Sequence, residues 1–72
     1  MTRYEYMEQM GEELAKELAK MGLMSVRYIE YFNICKFHKE HGNKRSITCA
    51  HFRAKYSTIG HALRIMTEEI KI

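Results

Sequence analysis

The sequence predicts an all-α fold, a small bundle of four helices whose last two are short and joined by a tight turn. The 72 residues contain no proline and only four glycines, so little interrupts helix propagation. Apolar residues recur at three- and four-residue steps along most of the chain, the spacing that lines one face of a helix. No stretch alternates apolar and polar residues with β-branched enrichment, so no sheet is expected. No internal repeat or low-complexity stretch divides the chain.

The first helix is expected over residues 3–21. Tyr4, Met7, Leu14, Leu18 and Met21 form its apolar stripe, glutamates dominate its solvated face, and Gly22 stands where a C-terminal cap belongs. Gly11 inside it costs about 1 kcal/mol relative to alanine, so a weak point or a close packing contact is expected there. Ser25 is placed to cap the second helix, which runs through Val26, Ile29, Phe32, Ile34 and Cys35 toward Gly42. Its polar face carries Arg27, Glu30, Asn33, Lys36, Lys39 and Glu40. After a polar loop, Gly42 to Arg45, the third helix is expected over 46–55, capped by Ser46, with Ile47, Ala50, Phe52 and Ala54 turned inward. The stretch Arg53-Ala54-Lys55-Tyr56 has room for a turn. The fourth helix is expected over 57–69, capped by Ser57 or Thr58, with Ile59, Ala62, Leu63 and Met66 inward.

A chain of this length makes one domain, residues 25–69 forming a three-helix unit and 1–22 an accessory helix. A domain this small buries only about 60 to 65% of the surface its unfolded chain exposes, so dimerisation would help it. Met7, Met10, Leu14, Leu18 and Met21 offer adaptable contacts for a homodimer through the first helix; the other reading is that this helix covers the three-helix core. No apolar run approaches the roughly 20 residues needed to span a bilayer, and no signal-peptide pattern is present, so no membrane partner is expected. Cys35 and Cys49 suit a reducing, cytoplasmic setting and small buried roles better than a bridge.

Charge is segregated. From Lys36 to Arg64 seven basic residues face the single acid Glu40, a local net of +6, whereas residues 1–24 carry a net of −2 and the whole chain +3. One half facing phosphates and the other facing away would produce this asymmetry. His38, His41, His51 and His61 all fall in the basic half, where each could gain charge near a polyanion.

The stretch Thr48 to Leu63 (TCAHFRAKYSTIGHAL) resembles the helix-turn-helix of site-specific recombinases, transposases and small phage or bacterial regulators, whose second helix often begins Ser-x-Ser-Thr-Ile/Val-x-x-Ala-Leu. The corresponding residues here are Lys55 to Leu63. Aligned on Ile59, the family's small residue in the first helix falls on Cys49, its apolar residue before the turn on Phe52 and its aliphatic after the turn on Ala54. Its turn glycine falls on Arg53, a departure that requires a non-glycine residue at positive φ. The resemblance covers about a quarter of the chain. It implies a sequence-specific DNA-binding protein, a small transcriptional regulator or mobile-element accessory factor of bacterial or phage type, with double-stranded DNA as partner.

On that resemblance the fourth helix enters the major groove, and Lys55, Tyr56, Ser57, Thr58, His61 and Arg64 become the candidates to meet the duplex. Gly60 would let the helix lie close to it. Lys44, Arg45 and Ser46, beside a helix start with free backbone N–H groups, are natural phosphate contacts. A competing reading is a helical protein-interaction module whose basic face meets an acidic protein partner; it would let the charges scatter and leave the start of the fourth helix buried.

Metal binding is a further candidate, because Cys35, His38 and His41 fall at steps of three, with Cys49 and His51 following. Two such steps drift about 60° around a helix, and neither Cys-x-x-Cys nor His-x-x-x-His occurs, so no metal or cofactor is expected. No phosphate loop, nucleophile elbow or paired acidic motif is present, and the chain has little room for a pocket beside Cys35 or Cys49, so no catalysis is expected.

Overall fold

The computed structural model describes residues 1–70, which form five helices: α1 (Arg3–Met10), α2 (Glu12–Lys20), α3 (Val26–Glu40), α4 (Arg45–Phe52) and α5 (Tyr56–Thr67). The all-helical class stands, and the count rises from four because the expected first helix is broken. Gly11 adopts φ +89°, ψ 152°, ending α1 and starting α2. An extended backbone at positive φ is open to glycine and strained for any residue with a Cβ, so Gly11 serves as a hinge, not merely a weak point.

Side chains close several other ends. Thr2 and Glu5 form a reciprocal capping box at the start of α1, each bonding the other's backbone N–H. After α2 the Leu23 N–H reaches back to the Leu18 carbonyl at 2.8 Å, with Gly22 left-handed between them, the geometry of a Schellman stop. Ser25 caps α3 as expected, its Oγ accepting from the Arg27 N–H at 3.2 Å.

Two expected caps are displaced. Lys44, not Ser46, precedes α4, and Lys55, not Ser57 or Thr58, precedes α5; neither lysine makes a side-chain cap. The hydroxyls therefore lie within the first turns. Both helix starts are exposed, where water can satisfy the free N–H groups, so burial does not force a hydroxyl into the cap.

The core runs along α3 and α5, the most extensively packed pair. One cluster holds Tyr4, Met7, Cys35 and Met66; the other holds Ile34, Ile59 and Ala62, with Tyr31 and Leu63 packed against both. Tyr4 stacks on Phe32 at 5.0 Å between ring centroids, and the Lys39 ammonium sits over the Tyr4 ring, 4.1 Å from its centroid. So α1 covers the core, as one reading of the first helix had it. Beyond the hinge the stripe leaves the core: Ala15 is buried in place of Leu14, which is 47% exposed, and Met21 is 63% exposed.

The inward face of α4 is also rotated from expectation. Ile47 and Ala50 are exposed, and Thr48 is fully buried, with Cys49 and Phe52 partly buried beside it. The expected inward residues of α5 hold: Ile59, Ala62 and Met66 have no exposure and Leu63 is partly buried. No strand forms among the described residues, although an isolated antiparallel bridge joins Thr2 to Glu69 next to an Arg3 N–H bond to the Glu68 carbonyl at 3.0 Å.

Candidate nucleic-acid interface

Burial on one side of α5 determines what the other side presents. With Ile59, Ala62 and Met66 against α3, the residues at Ser57, Gly60, His61 and Arg64 share the outward face, spaced by three and four. They line an open groove of about 310 Å³. Arg64 Nη2 donates to His61 Nδ1 at 3.1 Å. A guanidinium cannot accept, so the neutral imidazole carries its proton on Nε2, which is left as a donor. The edge of Tyr31 meets His61 at 5.6 Å between centroids and steadies the ring from the α3 side.

Arg45 reaches this face from α4. A Cβ built on Gly60 would lie 3.6 Å from Arg45 Nη1, so the guanidinium lies over Gly60 at ordinary contact distance and leaves room for a methyl group. The sequence suggested that Gly60 lets the helix lie close to a duplex; in the folded chain the Arg45 guanidinium lies over it. Gly60→Ala should accordingly be tolerated at ordinary contact distance and raise helix stability by up to about 1 kcal/mol. Thermal melting should show the gain, with duplex affinity unchanged. A loss of binding by a folded, stabilised Gly60→Ala variant would instead mean that a duplex must approach the bare backbone.

The remaining candidates frame the groove. Lys44 and Ser46 flank Arg45 at the start of α4, and Lys55, Tyr56 and Thr58 stand at the start of α5; all nine candidate residues are exposed, Tyr56 by 57%. Between the two helix starts runs the turn Arg53-Ala54-Lys55. Arg53 takes the left-handed conformation, φ 52° and ψ 42°, and the N–H of Ala54 bonds the Cys49 carbonyl at 3.1 Å. The ion pairs among the described residues join Met1 to Glu69, Arg3 to Glu68 and Lys16 to Glu12. None of Lys44, Arg45, Lys55 and Arg64 is neutralised by them.

No protein-family model, curated protein or solved structure matches the chain.

What anchors Lys44 and Arg45 is a buried polar pair that apolar spacing does not reveal. His38 Nδ1 lies 2.9 Å from Thr48 Oγ1, and that hydroxyl donates to the Lys44 carbonyl at 3.2 Å. The hydroxyl has one proton, so it accepts from Nδ1–H, and the start of α4 is tied to α3. No buried side-chain polar atom lacks a partner among the described residues. Burial, aided by the Arg45 charge, holds the His38 pKa below its ordinary 6.5. The unfolded chain then binds the extra proton first, so this pair's stability is complete above about pH 6.5 and declines as pH falls below it. Denaturant midpoints should drop between neutral and mildly acidic pH, and His38→Gln, which can hydrogen-bond but not titrate, should flatten that drop.

The other histidines and cysteines do not converge. Phe37 is stacked by His41 at 3.8 Å and by His51 at 4.0 Å, Cys35 is buried with its thiol pushed upward by burial, and no group of three or more potential ligands for a metal ion occurs among the described residues. No helix among the described residues is long and apolar enough to cross a membrane.

Proposed function

We propose that this chain is a sequence-specific DNA-binding protein of helix-turn-helix type, a small regulator or mobile-element accessory factor. In this reading α3, α4 and α5 make the three-helix unit and α5 enters the major groove with Ser57, His61 and Arg64 toward the bases. Lys44, Arg45 and Lys55 hold phosphates, with Ser46 and Tyr56 beside them and Thr58 turned to a base edge or thymine methyl. The observation that carries the reading is the outward face of α5: four residues of one groove, overlaid by Arg45, with no acid paired to its cations. Left-handed Arg53 adds support, since it falls where the family resembled keeps its turn glycine.

A protein-interaction module meeting an acidic partner would also use positive charge, but it has no need for an exposed helix start lined by hydroxyls, histidine and arginine. Fluorescence anisotropy of a labelled random duplex separates the two. With the three phosphate contacts of Lys44, Arg45 and Lys55 the affinity should fall about 40-fold between about 50 and 200 mM salt. No binding at the lower salt would sink the DNA reading and favour the acidic protein partner.

A further inference from the structure

The outward face of α5 is rich in hydrogen-bond donors and poor in acceptors, and that imbalance narrows what it can read. From Lys44 to Thr67, the stretch that spans α4, the turn and α5, there is no aspartate, glutamate, asparagine or glutamine. The pair of helices therefore lacks the carboxylate that accepts from cytosine N4 and the carboxamide that meets adenine N6 and N7 together. No such side chain among the described residues lines the α5 groove from another element. Glu30 and Asn33 of α3 line a separate one, with Ile34, Phe52 and Ala54.

Two side chains in the α5 groove are fixed as donors by each other. The Arg64 guanidinium gives one N–H to His61 Nδ1 at 3.1 Å and keeps its others. That bond occupies the acceptor nitrogen of the imidazole and leaves Nε2–H as the free polar group of the ring. Tyr31 meets the same ring edge-on at 5.6 Å between centroids, so α3 and α5 both position it.

A guanidinium beside an Nε2–H calls for acceptors alone. In the major groove only guanine presents nothing else, through O6 and N7. Adenine sets its N6 amino group beside N7 and cytosine offers the N4 amino group, so each would turn a donor toward a donor. Thymine has one acceptor, O4, next to a methyl group. The 3.1 Å between the two side chains is also close to the about 3.4 Å between successive bases of a strand, so each can take its own base.

We propose that Arg64 and His61 read two successive guanines on one strand, Arg64 bidentate to O6 and N7 of the first and His61 Nε2–H donating to the second. The assignment rests on the DNA reading and names the bases that α5 takes. The phosphate contacts of Lys44, Arg45 and Lys55 are independent of it.

The test selects sites from a random duplex library with the full chain at about 50 mM salt. The recovered site is then measured with each guanine replaced by adenine, or by 7-deazaguanine, which still pairs with cytosine but lacks the N7 acceptor. Recovered sites should share a GG step, and adenine at its first position should weaken binding about 10- to 100-fold. 7-Deazaguanine there should weaken it about tenfold. Arg64→Gln, which exchanges the donor fork for a carboxamide, should move the preference at that position from guanine to adenine, whereas Arg64→Lys should keep guanine. Arg64 is exposed, so both variants should fold, and circular dichroism checks this. Salt-dependent binding without a shared GG step would overturn the assignment and leave the DNA reading standing. So would an Arg64→Gln variant that keeps the guanine preference and loses about one from the salt slope, since Arg64 would then hold a phosphate. No binding of any duplex would overturn both.

Discussion

Replacing Lys44, Arg45, Lys55 and Arg64 together by alanine should lower duplex affinity by about 100- to 1,000-fold at about 50 mM salt and reduce the salt slope by about 3. The magnitude follows from charge count. Each phosphate contact releases condensed counterions and contributes about 0.9 to the slope, independent of sequence. The substitutions should spare the fold, because all four side chains are exposed and none forms an ion pair among the described residues. Circular dichroism and melting of the variant check that point. An unchanged slope with intact helices would show that these cations do not meet phosphates. Single substitutions sort the roles further: Lys44→Ala should weaken all duplexes alike, whereas Arg64→Ala should also relax preference at one base pair once a preferred site is in hand.

Much of this face was legible in the sequence, and the reason lies in α5. Ile59, Ala62, Leu63 and Met66 carry a strong helical period, so their burial fixes by elimination the exposure of Ser57, His61 and Arg64. The turn was legible from the gap between the two apolar stripes, and Arg53 fills it at positive φ despite having a Cβ; a single residue there costs about 1 to 2 kcal/mol, an amount the packing on either side can absorb. The Thr-x-x-Glu spacing of Thr2 and Glu5 was likewise open to reading as a capping box.

Other features depend on contacts that spacing cannot express. Along α4 and the turn after it, Ile47, Ala50, Phe52 and Ala54 suggested one inward face, but the hydrogen bond from His38, ten residues away in the chain, holds Thr48 inward while Ile47 is turned out. A buried threonine with a partner avoids the desolvation cost that would otherwise keep it at the surface. Gly60 shows the same limit. A missing side chain announces a close approach without saying by what, and Arg45 arrives from another helix. The weak point expected at Gly11 becomes a full break because its backbone takes φ +89°, ψ 152°, a conformation that glycine adopts without a Cβ penalty.

Ile59→Ala should be the most damaging single change on the interface helix. Ile59 has no exposure and packs with Ile34 and Ala62 at the centre of the second core cluster. Truncating a buried isoleucine to alanine costs about 2 to 5 kcal/mol in lost transfer energy and residual cavity. A domain of this length has a total stability of only roughly 4 to 11 kcal/mol, so about a fifth of it or more is removed. Since 1 kcal/mol moves the midpoint of so small a domain by about 4 to 8 °C, melting should fall by about 10 °C or more. Ser57→Ala and Thr58→Ala, two residues and one residue away but outward, should stay within about 0.5 kcal/mol of the native chain. Duplex binding should invert the order. Below its melting point Ile59→Ala keeps the outward residues and should retain affinity, while Ser57→Ala and Thr58→Ala remain stable and should bind less well. If instead the stable outward variants bind normally and affinity follows melting temperature alone, α5 is a scaffold and the recognition surface lies elsewhere on the basic half.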